Sequence, residues 1–232
     1  MIETATDRGK REAAEAAVAE IESGMLVGLG TGSTAAFAIS ALGKRIRDGL
    51  RVTTVGTSRA TEAAARAAGI AMLDFADVAQ TDLVIDGADE IDPAFRAIKG
   101  GGGAMLREKI VARSAARMIC VVDATKPVAT LGTRPVPIEV LPFARSFVCD
   151  AVRALGGEPV VRLAANGAPA LSDQSNLLID CRFGPIMDPA DLARELTAVA
   201  GMLGHGLFLD EIDALFIGRG QGIERLERHI KS

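Results

Sequence analysis

Short apolar runs, unbroken rather than alternating with polar residues, recur along this chain between stretches of helical spacing. Met25–Leu29, Val52–Val55, Leu83–Ile85, Met118–Val122 and Ala214–Ile217 are such runs. A strand that is apolar at every position is buried on both faces, which happens in parallel sheets covered by helices on each side. Asp7–Ser23, Ala35–Asp48, Ala60–Ala68 and Ala104–Ala116 predict the helices. In the first of them Ala13, Ala17, Val18 and Ile21 recur at helical spacing, and Gly24 is the stop signal. The expected fold is α/β, a doubly wound and mostly parallel Rossmann-like sheet over residues 1–129.

The middle of the chain changes character. Residues 130–207 hold most of the nine prolines. Pro135–Val140, Pro159–Leu163, Leu177–Cys181 and Gly206–Leu209 predict strands, and Ser146–Leu155 and Pro189–Ala200 predict helices. This β-α-β-β-α-β order predicts an inserted ferredoxin-like α+β domain over 130–207. Residues 208–232 rejoin the first domain through the Ala214–Ile217 strand, with a terminal helix expected over Ile223–Ile230.

Composition excludes several classes of function. The 232 residues are 49% hydrophobic and 24% charged, which is too apolar for a disordered chain. A chain of this length buries about 70% of its unfolded surface and needs no disulfide or metal staple. No apolar run approaches a membrane span, and Met1–Lys10 lacks the apolar core of a signal peptide. A net charge of -4 carries no nucleic-acid footprint. Aromatics are 3%, without Trp or Tyr, which leaves few stacking platforms for bases or sugars. Cys120, Cys149 and Cys181 are far apart and, with only His205 and His229 to help, show no metal-ligand spacing. They read as small buried residues in a reducing, cytoplasmic setting. No metal site is expected.

In open α/β sheets ligands bind beyond the carboxyl ends of the strands. Four such ends carry unusual residues, and the sheet prediction brings them to one crevice. The first is Gly30-Thr31-Gly32-Ser33-Thr34. Read from Gly28 as Gly28-Leu29-Gly30-Thr31-Gly32-Ser33 it resembles a dinucleotide fingerprint, but Ser33 stands at the third glycine position and no Gly-Lys-Ser/Thr follows. Small residues, hydroxyls and a helix start make it a candidate phosphate cradle, although a tight turn with a capping hydroxyl has the same look. The second is Asp86-Gly87-Ala88-Asp89. Its two carboxylates could accept substrate hydroxyls, bind a metal or move protons, or could be turn and helix-start acids. Asp92-Pro93 marks a turn nearby.

The third end is Lys99 followed by Gly100–Gly103. Four glycines cost backbone entropy, which a compact domain bears where backbone hugs a ligand or takes positive φ. Lys99 could bind an oxyanion or phosphate, or be solvated. The fourth end is Asp123-Ala124-Thr125-Lys126, where Lys126 could hold a phosphate. Lys10 alone reads as a solvated charge. On a helical wheel Glu108 lies among Ala104, Val111, Ala112 and Ala115, away from Arg107, Lys109 and Arg113. Leu106 and Ile110 form another arc that would cover the helix on a second side. A carboxylate among small apolar residues is partly desolvated, which moves it toward general-base strength at neutral pH. A salt bridge on a charged helix is the alternative.

Taken in order, these residues resemble the type A ribose-5-phosphate isomerases. The matching segments are 30–36 (Gly-Thr-Gly-Ser-Thr-Ala-Ala), 56–58 (Gly-Thr-Ser), 86–91 (Asp-Gly-Ala-Asp-Glu-Ile), 98–102 (Ile-Lys-Gly-Gly-Gly), 107–110 (Arg-Glu-Lys-Ile), 123–126 (Asp-Ala-Thr-Lys) and 135–142 (Pro-Val-Pro-Ile-Glu-Val-Leu-Pro). The resemblance implies that Glu108 is the base moving a proton between C1 and C2 of ribose 5-phosphate. It implies that Asp86 serves ring opening and proton handling, and that Asp89 and Lys99 hold substrate oxygens. Thr31, Gly32, Ser33 and Thr34, the stretch Asp86, Gly87, Ala88 and Asp89, the stretch Lys99, Gly100, Gly101 and Gly102, and Lys126 match substrate-binding stretches. Lys10 matches, by spacing, a lysine near the phosphate. The resemblance further implies a homodimer or homotetramer that needs no cofactor. Two departures stand out: Gly103 replaces a familiar alanine, suggesting a more flexible loop, and Ser172–Asn176 replaces an Asp-Asn-Gly-Asn turn. Rival readings of similar architecture are an amino-sugar-phosphate deaminase, an acyl-CoA transferase with a glutamyl thioester, and a non-catalytic sugar-phosphate sensor. The immediate start of the first helix leaves no room for the DNA-binding domain such a sensor normally carries.

Overall fold

The structure is a computed structural model and describes residues 3–228. The chain divides into two compact units. The first runs to Ala88 and includes Arg107–Lys126 and the segment from Asp210 on; the second comprises Asp89–Leu106 and Pro127–Leu209.

The first unit holds strands β1 (Leu26–Leu29), β2 (Thr53–Gly56), β3 (Thr81–Asp86), β6 (Ala115–Asp123), β12 (Ala214–Gly218) and β13 (Ile223–Glu227). They form one sheet in the order β13-β12-β6-β3-β1-β2, parallel except for β13. Helices α1 (Ala5–Ala19), α2 (Ser33–Arg47) and α3 (Arg59–Ala67) follow the expected positions. Thr4 caps α1 and Ser58 caps α3, each accepting a backbone N–H three residues on.

Side chains alternate across a strand, so successive residues report the two faces. Val27, Leu29, Leu83 and Ile85 point into a core filled by Ala13, Ala17 and Val18 of α1 and by Ala38, Ile39 and Leu42 of α2. Gly28, between them, faces the other way. A Cβ at Gly28 would lie 2.7 Å from Val111 of helix α4 (Met105–Arg113) and 2.7 Å from Val84. Both faces are therefore covered, which is why these strands read as solid apolar runs.

The terminal helix expected over Ile223–Ile230 is not formed. Residues 223–227 are β13, antiparallel to β12; 229 and 230 lie outside the described residues. Gly220 and Gly222 take positive φ, and Arg219 N–H bonds the Gly222 carbonyl, which closes a hairpin. The charges at 224, 225 and 227 mimicked a helical face, whereas they decorate a mostly exposed edge strand. Likewise the helix placed over Ala104–Ala116 ends at Arg113, and Ala115–Arg117 already belong to β6.

The second unit has β7 (Val136–Val140), β8 (Glu158–Val161), β9 (Leu177–Arg182) and β10 (Met202–His205) in an antiparallel sheet of order β10-β7-β9-β8. With α5 (Arg145–Ala154) and α6 (Pro189–Thr197) it has the ferredoxin-like order. Its core includes Val136, Ile138, Val148, Val152, Ile179 and Leu196. The strand expected over Gly206–Leu209 is split differently. The sheet's last strand is 202–205, and β11 (Leu207–Phe208) instead joins a small sheet with β5 (Ala97–Ile98) and β4 (Glu90–Ile91). That pairing gathers residues 89–106 with the second unit. The turn suspected at Asp92-Pro93 is the β4–β5 connection, where the buried Asp92 carboxylate accepts N–H groups of Ala94 and Arg96. No helix among the described residues is long and apolar enough to cross a membrane.

Candidate active site

In the first unit, β1 and β3 are neighbours while the chain leaves β1 for β2 on the other side. That reversal is a switch point, and the ends of β1 and β3 flank it. Gly30 ends β1 and Asp86 ends β3. A Cβ at Gly30 would lie 1.9 Å from Asp86 Oδ1, so only glycine lets the loop pass the carboxylate. Asp86 is 1% exposed; its Oδ1 accepts N–H bonds from Thr31 (3.2 Å) and Gly87 (2.7 Å). One carboxylate thus ties the loops after β1 and β3 together.

The hydroxyl of Thr31 is not free for a ligand, as the cradle reading expected. It bonds Thr57 (2.8 Å), Ser58 (2.9 Å) and Thr61 (3.1 Å), and Thr61 donates to the Gly30 carbonyl at 2.8 Å. These three partners had no site role in the sequence reading, although Gly-Thr-Ser 56–58 was among the matching segments. Gly32 and Ser33 are exposed, Thr34 is half-buried, and no side chain caps α2. The exposed start of a 15-residue helix favours an anion.

The carboxyl end of β6 carries a second group. Asp123, 2% exposed, accepts the N–H and the hydroxyl of Thr125, and Lys126 follows in the same turn, half-buried. Helix α1 lies against this end: a Cβ at Gly9 would sit 2.6 Å from the Gly218 carbonyl and 3.6 Å from Asp123 Cβ. Lys10 follows Gly9, with its ammonium 3.8 Å from Asp7.

Glu108 lies on α4, 3% exposed, one turn before the Val111 that packs over Gly28. Ala104, Val111 and Ala112 of the wheel are buried, but Ala115 is not on the helix: it starts β6 and is half-buried, because α4 ends at Arg113. Ile110 differs: it is 48% exposed, so the second arc of the helix is not covered there. Next to Glu108, burial pulls the Lys109 ammonium down to about 8, against the opposing pull of Glu211.

The second unit holds Asp89, Lys99 and the glycines. Asp89 Oδ2 accepts the Gly101 N–H at 2.8 Å. Gly103 N–H closes back on the Gly100 carbonyl at 2.9 Å, with φ +104 at Gly100 and +82 at Gly103. Gly103 is therefore a conformational requirement here rather than extra flexibility: a Cβ would meet Leu178 Cδ1 at 3.0 Å. Lys99 is 2% exposed, its N–H bonds the Gly206 carbonyl, and its ammonium stands 5.3 Å from the Phe208 ring centroid. A Cβ at Gly206 would sit 2.2 Å from the Lys99 carbonyl. Gly206 and Phe208 support Lys99, and nothing in their local sequence announced it. Among the described residues no group of three or more His, Cys, Asp or Glu side chains is arranged to hold a metal ion.

The model of a family described as ribose 5-phosphate isomerase A (phosphoriboisomerase A) matches residues 53–222. The chain is 51% identical to the ribose-5-phosphate isomerase A of Sphingopyxis alaskensis over 215 residues, 93% of this chain and 94% of that one. The chain belongs to the ribose 5-phosphate isomerase A family. A solved ribose 5-phosphate isomerase A from Methanocaldococcus jannaschii is 36% identical, with a TM-score of 0.90 over 94% of this chain and 97% of that one. A D-ribose-5-phosphate isomerase solved in complex with phospho-erythronic acid is 35% identical, with a TM-score of 0.93 over 96% and 99%. The rivals with other chemistry are not favoured by these matches.

Proposed function

We propose that the chain carries out the reaction its family is named for, the reversible conversion of D-ribose 5-phosphate to D-ribulose 5-phosphate, with Glu108 as the base. A proton leaves C2 for the carboxylate and one returns at C1, while the hydroxyl proton passes from O2 to O1. The intermediate is an enediolate whose oxygens need positive partners. Lys99, the glycine-loop N–H groups and Asp89 manage those oxygens. Asp86 serves ring opening and proton handling. The exposed start of α2 at Gly32–Thr34, with Lys126 and Lys10, orients the substrate through its phosphate. No metal or organic cofactor takes part.

The observation that carries this reading is a carboxylate 3% exposed, on a helix locked to the sheet by the Gly28–Val111 contact, inside a segment that matches the family. Burying a carboxylate away from water is costly, and catalysis is a reason to keep it. A cytoplasmic site of action belongs to the proposal, and the three free, buried cysteines support it. So does assembly into a dimer or tetramer, supported by the exposed rings of Phe143 and Phe147.

The test is conversion of ribose 5-phosphate with EDTA present, in wild type and Glu108→Gln together. Wild type is active. The variant keeps KM within a few-fold and loses turnover by about 10²–10⁴-fold, the range of general acid–base catalysis. Equal turnover in both removes Glu108 from the role of base.

A further inference from the structure

The glycine loop is held from two sides, and only one side belongs to the short motifs picked out in the sequence. Asp89 takes the Gly101 N–H. From the β8 side comes Arg162, whose Nη1 donates to the carbonyls of Gly100 (3.2 Å) and Gly101 (3.1 Å). The rest of the guanidinium is fixed by a fork on Asp180 of β9, Nε to Oδ2 at 3.0 Å and Nη2 to Oδ1 at 2.5 Å. Both side chains are largely buried, at 19% and 26% exposure. A planar guanidinium anchored on a carboxylate has one direction left for its remaining N–H groups, and here that direction is the loop.

A trans peptide sets the consequence. The C=O of Gly101 and the N–H of Gly102 point in opposite directions across one planar unit. Pulling the Gly101 carbonyl toward Arg162 turns the Gly102 N–H away from it. The Gly101 N–H is engaged by Asp89 and the Gly103 N–H by the Gly100 carbonyl. The Gly102 N–H has no protein acceptor among the described residues, and Gly102 is exposed.

We propose that Arg162, held by Asp180, is a positioning residue of the isomerase: it fixes the Gly101–Gly102 peptide so that the Gly102 N–H is presented to an oxygen of the developing enediolate. This rests on the isomerase reading above. Arg162 touches no reacting atom; it acts through the backbone it holds. A donor aimed in advance costs no reorganisation when charge develops, so its loss falls on turnover rather than on ground-state binding.

The experiment compares wild type, Arg162→Gln, Arg162→Lys and Asp180→Asn by steady-state kinetics, by inhibition with phospho-erythronic acid, and by thermal melting. The carboxylate of that acid stands in for the enediolate oxygens. Misplacement of a positioned group can cost up to about 10²-fold, so Arg162→Gln is expected to lower kcat by about 10–10²-fold with KM within about three-fold. The inhibition constant rises by the same factor as kcat/KM falls. Arg162→Lys does not restore turnover, because an ammonium cannot hold two carbonyls and a carboxylate in one plane. Asp180→Asn keeps the loop contact, loosens the fork and gives an intermediate loss; it reads the same device should Arg162→Gln fail to fold. Unchanged kcat in a folded Arg162→Gln, or a loss carried wholly by KM, or an inhibition constant that stays put while kcat falls, overturns the proposal. An inactive wild type would instead strike the isomerase reading itself.

Discussion

Two glycine loops carry most of the candidate site, and each hangs on an aspartate. In the first, Asp86 accepts the Thr31 N–H and stands where a Gly30 side chain would be, 1.9 Å from its Cβ position. In the second, Asp89 accepts the Gly101 N–H and comes within 2.8 Å of a Gly101 Cβ position. Their other fastenings differ. Neutral hydroxyls of Thr57, Ser58 and Thr61 hold the first loop from β2 and α3. A single guanidinium holds the second from a hairpin some sixty positions later. The first loop is packed solid by short bonds of modest individual strength. The second is held by two charged groups, Asp89 on its N–H side and Arg162 on its carbonyl side.

Gly30→Ala is the harshest way to break this contrast. The new methyl cannot share space with Asp86, so either the carboxylate or the loop moves. Overpacking of this kind costs about 1–3 kcal/mol in stability, and displacement of Asp86 should lower kcat/KM by about 10²-fold. Gly101→Ala has more room and should cost visibly less on both counts. Paired melting and kinetics check it; equal damage at the two positions would show that the second loop has no more slack than the first.

The hydroxyl cluster is tested by Thr61→Val, which keeps shape and removes the bond to the Gly30 carbonyl. Leaving a buried acceptor without its donor costs about 1–3 kcal/mol. Denaturant unfolding should show that loss, with turnover falling far less than in Gly30→Ala. A wild-type unfolding midpoint would mean the cluster is ornament and Asp86 alone holds the first loop.

The helix entered from the second loop carries a cost of its own. Lys109 has its folded pKa lowered to about 8 from the ordinary 10.5, chiefly by burial, with Glu211 opposing. Between pH 8 and 10.5 the unfolded chain then binds more protons than the folded one. Stability therefore rises with pH across that window, and the cost of the buried ammonium is fully present below it. Lys109→Met removes the cost. The variant should melt above wild type at neutral pH, and the gap should narrow as pH climbs from 8 to 10.5. A gap that widens reverses the sign and makes the Glu211 attraction dominant. Arg113, whose Nε is 3.2 Å from Glu211, keeps that carboxylate paired in the variant.

The contrast between the loops also explains what the sequence could say. Gly30–Thr34, Asp86 and Glu108 were legible because strand ends and a helical wheel are local patterns, and the local pattern decides which way those residues face. Glu108 stood out among Ala104, Val111 and Ala112 before any fold was drawn. Arg162 and Asp180 fell unremarked within the strands predicted over Pro159–Leu163 and Leu177–Cys181; their meaning is a register between β8 and β9 and a reach to Gly100, and neither is a spacing. Gly206 and Phe208 escaped notice for the same reason. The terminal strand failed differently. Residues 223–227 carry charges at intervals that suit a helix as well as an exposed edge, and the deciding signal, glycines at 220 and 222, lies outside the segment.

The turn at 172–176 is the mildest test. Ser172 closes the turn: its hydroxyl donates to Glu139 at 2.7 Å and accepts the N–H groups of Gln174 and Asn176, while Asn176 donates to the same Glu139 oxygen at 2.8 Å. Ser175 pays conformationally, with φ +64 in the region that favours glycine. The left-handed conformation costs an L-residue about 1–2 kcal/mol, and a glycine there returns part of the gain as unfolded-chain entropy. Ser175→Gly should therefore stabilise by about 0.5–1 kcal/mol, a rise in melting temperature of about 1–4 °C for a chain this size. Activity should not change, because the substitution leaves Ser172, Asn176 and Glu139 in place. A lower melting temperature would mean that the Ser175 hydroxyl matters more than its φ.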